Sequence, residues 1–404
     1  MRKILYITQW FDPEPNIIKG PAFVRELEAS GYEVEVLTGL PNYPTGKLFP
    51  GYRVRLFQRE TIGEVRVMRV PLYPSHGTSS LGRGLNFLSF FASVLVFLLL
   101  RGNRYDQWYV YHPPITVGLA AALARTVVRR PFTLEIQDLW PDTVIASGMA
   151  GTGRVGRLLG ALCNFTYARA KRIITQSQGM KNRLLERGVP AKKVRVIYNW
   201  ADDTAGALPP PDRAARGFDE AFTIVYGGNL GRMQALDTAL AAMATLRDRE
   251  CQAELVLVGD GIERIALEAE AERLGLTNVR FVGRVPQDMI GHWFAAADAL
   301  LLHIASDPLF EITIPSKCQY YLACGRPIVA GIDGEAASIL DASGGAIVVP
   351  PQDAETLADA IERMASLSPA RRSDMGNAGR AYYKEHLGFE RGIAQTLQAL
   401  DSDR

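Results

Sequence analysis

The segment from Asp307 to Ala336 reads DPLFEITIPSKCQYYLACGRPIVAGIDGEA and shows the pattern from which the fold can be worked out. A loop with Pro and Ser leads into a helical run, Gly325 and Pro327 end that run, and an apolar strand follows at 328–330. The start of a helix has unpaired backbone N–H groups and the positive end of the helix dipole. Lys317 adds a full positive charge there. The segment therefore predicts an anion-binding site at the start of its helix.

The segments before this stretch repeat one pattern, in which a short apolar strand ends in a turn and a helix follows. The turns are Gly227–Gln234, Gly259–Gly261 and Gly283–Pro286, and a fourth strand at 299–303 runs into the loop at Asp307. Taken singly, each turn is also compatible with a tight connection that needs glycine only for its backbone conformation. Because the carboxyl ends of parallel strands share one edge of a sheet, we expect the four loops to converge on a single crevice.

The N-terminal half opens with a βαβ pattern. Residues 3–8 predict a buried strand, a proline-rich loop follows at 9–15, and a helix begins after Lys19-Gly20 and ends before Gly31. The crossover is expected to be right-handed, with Gly20 at the carboxyl edge of the sheet, where open α/β sheets bind ligands. No GxGxxG dinucleotide fingerprint is present there.

At 404 residues the chain is too long for one ordinary core, which favours two domains of about 200 residues each. The predicted fold class is α/β, with two doubly wound Rossmann-like domains that face each other across a cleft. Further short strands are predicted in the N-terminal half at 53–59, 64–70, 107–111, 132–136, 173–175 and 194–198. The expected boundaries are an N-terminal domain at 1–198, a linker at 199–219, a C-terminal domain at 220–385, and a terminal helix at 386–404 that packs back on the N-terminal domain.

Charge is distributed unequally along the chain, although the formal net charge is only +2. Residues 1–198 contain 27 Lys and Arg but 13 Asp and Glu, whereas the remainder contains 18 and 30. A basic half indicates a polyanionic neighbour, either an anionic membrane surface or a nucleic acid, unless the imbalance is only solvated surface charge. Interleaved aromatic stacking positions or a recognition motif would favour nucleic acid, and neither is found.

The run from Leu85 to Leu100 is apolar at nearly every position and has Arg83, Arg101 and Arg104 beside it. As a helix this run spans roughly 24 Å. It is shorter than the ~20 residues that are needed to cross a bilayer, which span ~30 Å. It is therefore predicted either as a buried core helix or as a helix in the membrane interface with its arginines among the headgroups. Three clustered phenylalanines favour the interfacial interpretation.

The spacing of the cysteines and the N-terminal segment predict in which cellular compartment the protein is found. The four cysteines show no CxxC spacing, which is typical of a reduced chain without disulfides or a thiolate metal site. The N-terminus enters a strand without a signal-peptide cleavage pattern, so the chain is predicted not to be exported. His112, His292 and His303 have no metal-ligand spacing and are assigned core or surface roles. A DxD pattern occurs only in the terminal tail at Asp401–Asp403, so neither a metal site nor a cofactor is predicted.

Several short motifs, taken in order, carry a resemblance that covers nearly the whole chain. They are Gln9–Pro15, Pro41–Pro44, Asp138–Pro141, Gly228–Arg232, Gly259–Gly261, Gly283–Pro286, Pro315–Lys317 and Ala323–Pro327. In this order and spacing the chain resembles the bacterial family 4 glycosyltransferases with the GT-B fold, and most of all the members that act in exopolysaccharide or O-antigen assembly. The resemblance implies hexosyl or N-acetylhexosaminyl transfer from a nucleotide-diphosphate sugar, with retention of configuration and without a tightly bound metal.

The resemblance also implies site residues. The catalytic residues it implies are Arg232, Lys317 and Asp138. The donor-binding residues it implies are Gly228, Asn229, Gly259, Arg284, Val285, Glu311, Ile314 and Ser316. The acceptor-binding residues it implies are Gly20, Asn42, Tyr43 and Trp140. Fixed hydrogen-bond donors and charges aimed at the leaving diphosphate would be the main catalytic device.

The chain departs from the family pattern at several of these positions. Many relatives carry two glutamates separated by seven residues, and here those positions are Ile312 and Tyr320. Glu311 lies one residue before the first of these two positions. Two roles stay open for it, that of a sugar ligand and that of a solvated neighbour. Common relatives also have Arg and Lys where this chain has Asn229 and Gln234.

The predicted function is sugar transfer from a nucleotide-diphosphate donor, expected to be a UDP-sugar, to a polyprenyl-diphosphate-linked saccharide in surface polysaccharide biosynthesis. The predicted location is cytoplasmic, peripheral on the inner face of the cell membrane, with the membrane surface as a partner and no nucleic acid. Two alternatives stay open. One is a soluble-acceptor glycosyltransferase, and the other is a sugar-nucleotide-binding protein without catalysis, because both family glutamates are missing.

Overall fold

The computed structural model of the chain describes residues 1–15, 18–75, 80–112, 114–146, 153–201, 209–218 and 221–401. The chain divides into two compact units, Met1–Tyr198 with Gly392–Arg404, and Asn199–Arg391. Each unit contains its own sheet, which confirms the predicted α/β class with two doubly wound parallel sheets. The predicted linker at 199–219 lies partly outside the described residues.

The strands of the N-terminal unit are β1 (Arg2–Ile7), β2 (Tyr32–Gly39), β3 (Gln58–Ile62), β4 (Val65–Val70), β5 (Gln107–His112), β6 (Phe132–Ile136), β7 (Arg172–Thr175) and β8 (Val194–Val196). They form one sheet in the order β3-β4-β2-β1-β5-β6-β7-β8, parallel except for the β3–β4 hairpin. The prediction of a strand over 53–59 is wrong for its first five residues. Pairing begins only at Gln58, which lies opposite Arg69.

The helices of the N-terminal unit are α1 (Pro21–Ala29), α2 (Ser80–Arg101), α3 (Ile115–Val128), α4 (Asp142–Ala146), α5 (Arg154–Arg169) and α6 (Gln178–Glu186). The connection from β1 through α1 to β2 steps in one direction along the sheet, and the connections through α2, α3 and α5 step in the other. Right-handed crossovers therefore place α1 on one face of the sheet and α2, α3 and α5 on the opposite face. Consistent with this, α2 contacts α3, and α3 contacts α5.

Helix α2 has two different apolar sides. Its inner side packs into the unit through Phe90, Val94 and Leu98, all of which are fully buried. On its outer side several large apolar residues stay exposed along one face of the helix. They are called the outer stripe: Leu81, Leu85, Leu88, Val96, Leu99 and Leu100.

The length argument for α2 needs correction, because the helix runs from Ser80 to Arg101 rather than from Leu85 to Leu100. The segment Leu81–Arg104 is long and apolar enough to cross a membrane by length and composition, and only 28% of its most apolar window is buried. Length and composition therefore do not exclude a membrane span. The inner side of the helix packs into the unit, as is typical of a helix that covers a sheet face of its own domain.

The strands of the C-terminal unit are β9 (Phe222–Gly227), β10 (Ala253–Val258), β11 (Val279–Gly283), β12 (Ala299–His303), β13 (Ile328–Gly331) and β14 (Ala346–Val349). They form an all-parallel sheet in the order β11-β10-β9-β12-β13-β14. The chain steps outward from β9 to β11 and then returns to the other side of β9 with β12. The point where the winding reverses is where open α/β sheets bind their ligands.

The helices that follow these strands are α7 (Leu236–Asp248), α8 (Arg264–Arg273), α9 (Ile290–Ala296), α10 (Pro308–Glu311), α11 (Ser316–Cys324), α12 (Gly334–Ser343), α13 (Ala354–Ser366), α14 (Pro369–His386) and α15 (Phe389–Asp401). Helix α7 packs on the sheet through fully buried Ala239, Leu240 and Met243. From Gly392 onward, α15 belongs to the N-terminal unit, where Asp401 accepts a 2.7 Å hydrogen bond from the Tyr32 hydroxyl.

Candidate functional site

The turn after β9, residues 227–234, is called the glycine turn, and Lys317 lies directly against it. Gly228 has a φ of 134°, and a Cβ built on it would lie 2.7 Å from Cε of Lys317. A side chain at this position would be strained in its backbone and would also displace the lysine. The ammonium group of Lys317 donates a 2.7 Å hydrogen bond to the Tyr226 hydroxyl and lies 4.5 Å from the centre of that ring.

Lys317 is held in a protein environment with no carboxylate partner among the described residues. Burial lowers the pKa of the Lys317 ammonium to about 8, and no other cause competes. The Tyr226 hydroxyl donates to the carbonyl of Asn229 at 2.6 Å, so it faces Lys317 as an acceptor. An anion beside the ammonium would raise this pKa again, so the site gains free energy from binding a negative group.

The start of α11 adds backbone donors beside Lys317. Among the described residues no side chain caps this helix, which begins at Ser316 after Pro315. Ile314, before the proline, is buried and fixes the entry of the chain. Helix α11 has nine residues, and its first N–H groups, those of Ser316 and Lys317, remain available to a ligand, whereas the Cys318 N–H donates to the carbonyl of Pro315 at 2.8 Å. The structure therefore brings Gly228, Ile314, Ser316 and Lys317 together.

The loop after β10 fits against the glycine turn without room for side chains. A Cβ on Gly259, which has a φ of 151°, would lie 1.8 Å from the carbonyl oxygen of Gly228. A Cβ on Gly261 would lie 2.2 Å from the carbonyl oxygen of Leu230. The Gly259 N–H donates to the carbonyl of Gly283 at 2.9 Å, which joins the loop after β11. Three of the four predicted loops are thus linked through their backbones.

Arg232 does not lie beside Lys317 but at the outer edge of the glycine turn. Its side chain is 84% exposed and donates from Nε to Glu263 at 2.9 Å. The charge that the sequence assigns to the glycine turn therefore lies at its outer edge. Inside the turn, the Gln234 side-chain oxygen accepts from the Gly231 N–H at 3.1 Å and from the Asn229 amide at 3.3 Å. Gln234 and Asn229 therefore brace the turn from inside.

The remaining predicted donor residues lie farther out. Arg284 is exposed and Val285 is half-buried in the loop after β11. Glu311 is exposed at the end of α10, and its backbone packs so closely on Gly334 that a Cβ there would lie 2.2 Å from the Glu311 carbonyl oxygen. Tyr320 lies 5.9 Å from the Phe294 ring in an edge arrangement.

His303, to which the sequence assigned only a core or surface role, connects three loops. Its Nε2 accepts from the Gln352 N–H at 3.2 Å, so Nδ1 carries the proton and donates to the carbonyl of Gln234 at 2.8 Å. Burial lowers the pKa of His303, which keeps the ring neutral. A Cβ on Gly331 would lie 2.3 Å from the ring. His303 lies opposite Gly331 of β13, and this strand pairing is not visible in the sequence.

In the N-terminal unit, Glu14 holds the loop after β2, residues 41–46, which is called the 41–46 loop. Its Oε1 accepts from the N–H groups of Asn42 at 2.7 Å and Tyr43 at 2.8 Å, and Oε2 accepts from Phe11 at 3.4 Å. Burial raises the pKa of this carboxyl to about 7, although the three N–H donors oppose the shift. The ring of Tyr43 also lies 5.1 Å from that of Trp10.

A buried ion pair holds the loop that contains Gly20. Nζ of the fully buried Lys19 lies 3.3 Å from Oε2 of Glu135, which also accepts from the Tyr109 hydroxyl. Oε1 of Glu135 accepts from the Gln137 amide at 3.0 Å. The pair joins the loop before α1 to the end of β6, beside Asp138. A lysine and a glutamate in apolar surroundings were the signal for it in the sequence.

Asp138 has two features that point in different directions. Its side chain is exposed, yet desolvation by the surrounding protein raises its pKa to about 6. Because the exposed side of the Asp138 carboxylate keeps part of its hydration, its pKa rises less than that of Glu14. Two residues further on, the Trp140 carbonyl accepts from Arg187 at 2.9 Å, which fixes the loop after β6.

Two protein families match the chain. Residues 22–200 match the family described as the glycosyl transferase 4-like domain, and residues 221–366 match glycosyl transferases group 1. The chain is 27% identical over 395 residues to the putative colanic acid biosynthesis glycosyl transferase WcaI of Escherichia coli, and the alignment covers 93% of each protein. It is 26% identical over 332 residues to the probable glycosyltransferase WbjE of Pseudomonas aeruginosa, with 78% of this chain and 80% of WbjE covered.

A solved structure shares the fold over its full length. HepE of Anabaena, in complex with UDP and glucose, superposes with a TM-score of 0.70 at 18% identity, and all of both chains is covered. At this identity the likeness speaks for the fold alone. The fold and the two matched families agree with the predicted resemblance.

Proposed function

We propose that this chain, which belongs to the family 4 glycosyltransferases with the GT-B fold, transfers a sugar from a nucleotide-diphosphate donor, a UDP-sugar, to a polyprenyl-diphosphate-linked saccharide. The observation that carries the donor half of this proposal is the position of Lys317. It lies against Gly228, at the reversal point of an all-parallel sheet, and beside the uncapped start of α11. This combination of charge, backbone donors and glycine suits a diphosphate.

The proposed chemistry uses these groups at the leaving diphosphate. As the bond between the sugar and the diphosphate breaks, negative charge builds up on the phosphate oxygens. Lys317 and the first N–H groups of α11 stabilise that charge, and Arg232 contributes from the edge of the turn after leaving Glu263. The sugar keeps its anomeric configuration, as in the family that the chain resembles. Gly259, Arg284 and Val285 are proposed to bind the nucleoside, and Glu311 the sugar.

The acceptor is proposed to bind in the N-terminal unit, at the carboxyl ends of β1, β2 and β6. Asn42 and Tyr43 lie in the 41–46 loop, and Gly20 and Trp140 lie in loops that are also held by buried contacts. Asp138 is proposed to accept a hydrogen bond from the hydroxyl group that attacks the sugar. Its carboxylate form predominates at pH 7 because its pKa stays below 7.

The choice of a lipid-linked acceptor is supported by three neighbouring helices. Helices α2, α3 and α5 contain no Asp or Glu and together contain six arginines. Exposed apolar residues are present on all three: the outer stripe on α2, Leu123 and Val127 on α3, and Val155 and Leu158 on α5. Apolar side chains with basic residues and without acidic ones are suited to the interface of an anionic membrane. We propose that this face places the enzyme on the inner face of the cell membrane.

The similar proteins support two further details. The name of WcaI refers to colanic acid biosynthesis, which favours surface polysaccharide as the product of the pathway. HepE was crystallised with UDP and glucose, which favours UDP as the carrier.

The proposal is tested by incubating the full chain with UDP-, GDP- and ADP-sugars and a polyprenyl-diphosphate-linked saccharide in anionic vesicles. We expect UDP-sugar-dependent extension of the lipid-linked saccharide with retained configuration. Transfer to a water-soluble saccharide alone would favour the soluble-acceptor alternative. Protection by UDP without transfer to any acceptor would favour a binding protein without catalysis.

A further inference from the structure

Asn86 is a buried polar residue in the most apolar helix of the chain. Its side chain is 1% exposed, whereas Leu85 and Leu88 on the outer stripe are 44% and 59% exposed. A buried amide costs free energy unless its donors and acceptor are paired. The partners of Asn86 therefore show what this position does.

Those partners form a chain of side-chain amides with a fixed direction. Gln9 donates to Oδ1 of Asn86 at 2.6 Å, and Nδ2 of Asn86 donates to Oδ1 of Asn42 at 3.3 Å. Nδ2 of Asn86 also donates to the carbonyl of Tyr73 at 2.7 Å, and Nδ2 of Asn42 donates to the carbonyl of Leu40 at 2.9 Å. Because backbone carbonyls only accept, both asparagine amides can take only this orientation.

The chain connects the proposed membrane face to the proposed acceptor site. Asn86 points inward from α2, on the side opposite the outer stripe, and Asn42 is the second residue of the 41–46 loop. A helix behaves as a stiff rod over a few turns, so a shift of the outer stripe relative to the sheet also moves Asn86. Asn42 has a second anchor at Glu14, which holds its backbone N–H. A movement of α2 therefore shifts the side chain of Asn42, while its backbone is held by Glu14 in the loop after β1.

We infer that Asn86 is a positioning residue that couples the seating of α2 on the membrane to the geometry of the 41–46 loop. The inference rests on the proposed function, because it needs a membrane-bound acceptor. Asn86 touches neither the sugar nor the diphosphate in this account. It holds Asn42 in place when the outer stripe is in the lipid, so the loop is ordered at the surface where the acceptor lies.

The test compares wild type with Asn86→Leu, which replaces the buried amide by an apolar side chain of similar size that is compatible with a helix. Hydrogen exchange of the Asn42 and Tyr43 amides is measured with and without vesicles of phosphatidylglycerol and phosphatidylcholine. We expect vesicles to slow exchange in wild type and to leave it unchanged in Asn86→Leu, although both proteins bind the vesicles. Of the three hydrogen bonds that Asn86→Leu removes, one reaches Asn42. The KM for the lipid-linked acceptor should rise about five- to tenfold, the size of that one bond, while the KM for the donor stays within about twofold.

Ser93→Ala provides the matched control. Ser93 lies on the same helix and donates to the carbonyl of Pro71 at 2.7 Å, so the variant also loses a hydrogen bond between α2 and the rest of the unit. That bond does not reach Asn42, and we expect wild-type exchange and acceptor KM within about twofold. If Asn86→Leu does not fold, Asn86→Ser replaces it, because a serine hydroxyl is too short to bridge Gln9 and Asn42.

Two outcomes would overturn the inference. One is vesicle-dependent slowing of exchange in Asn86→Leu equal to that in wild type. The other is an increase in acceptor KM for Ser93→Ala as large as that for Asn86→Leu. Failure of the proposed function would appear separately, as no transfer by wild type with any donor, and the exchange comparison would still report on the coupling.

Discussion

The glycine turn of the C-terminal unit and the 41–46 loop of the N-terminal unit are stabilised in opposite ways. The glycine turn is fixed by backbone packed on backbone, with no room for a Cβ at Gly259. The 41–46 loop is fixed by the side chains of Glu14 and Asn86, which come from distant segments of the chain. A site for a constant group such as a diphosphate can be built from backbone, whereas side-chain anchors can be exchanged one by one as the bound molecule varies.

The largest effect is expected from adding one methyl group to the loop after β10, where it packs on the glycine turn. In Gly259→Ala the new Cβ would lie 1.8 Å from a carbonyl oxygen at a φ of 151°. We expect loss of UDP binding and a decrease of about 2–5 kcal/mol in the free energy of unfolding. Calorimetric titration with UDP and urea unfolding measure both quantities. Gly160→Ala, a helical position with nothing within 4 Å of the new Cβ, should be neutral or slightly stabilising.

The second prediction compares the contributions of Lys317 and Arg232 to catalysis. Lys317→Met should lower kcat/KM about 10²-fold or more, because it removes a fixed charge at the leaving group. Arg232→Met should lower it less than about tenfold, since this side chain is exposed and already paired with Glu263. Steady-state kinetics with a UDP-sugar compares the two. Equal losses would show that Arg232 moves in to carry the same charge.

The third effect concerns pH and the 41–46 loop. Glu14 has a pKa raised to about 7 in the fold, above its ordinary value of 4.5, so the folded state binds more protons between these values. The stability that depends on this group is complete below about pH 4.5 and is lost as the pH rises through 7. Glu14→Gln cannot titrate, and its loss of stability between pH 5 and pH 8 should be smaller than that of wild type by ~1–3 kcal/mol. Urea unfolding at the two pH values checks this, and equal losses would contradict it.

The smallest effect on stability is expected on the outer stripe. Leu85→Ser, Leu88→Ser and Val96→Ser together should abolish binding to anionic vesicles and change thermal unfolding little, because these side chains are exposed. Vesicle co-sedimentation measures the first effect. Phe90 is unsuitable for this test, since it is fully buried and its replacement by serine would disrupt the core. Full vesicle binding by the triple variant would exclude the outer stripe as the membrane contact.

The sequence was sufficient for the glycine turn and for the loop after β10 because the constraints there are local. Gly228, Gly259 and Gly261 each follow a short apolar strand, and no other residue type fits the backbone at such positions. Because these loops follow the carboxyl ends of parallel strands, the sequence also predicted that they would meet at one edge of the sheet. The position of Arg232 could not be predicted in this way, since its choice of Glu263 depends on a residue 31 positions away.

The anchors of the 41–46 loop could not be predicted from sequence for the same reason. Asn42 and Asn86 are 44 residues apart, and nothing local to either residue points to the other. The length of α2 was also underestimated, because Ser80 and its neighbours carry no strong apolar signal and are helical through their place in the fold. Long-range pairing of polar side chains is information that only the folded chain contains.

The most direct test of the central claim is calorimetric titration of wild type and Lys317→Met with UDP between pH 7 and pH 9. If Lys317 faces the diphosphate, wild-type affinity should fall as the pH rises through about 8, where the ammonium loses its proton, and the variant should bind more weakly at pH 7 without this dependence. Equal affinities for both proteins across the range would contradict the account.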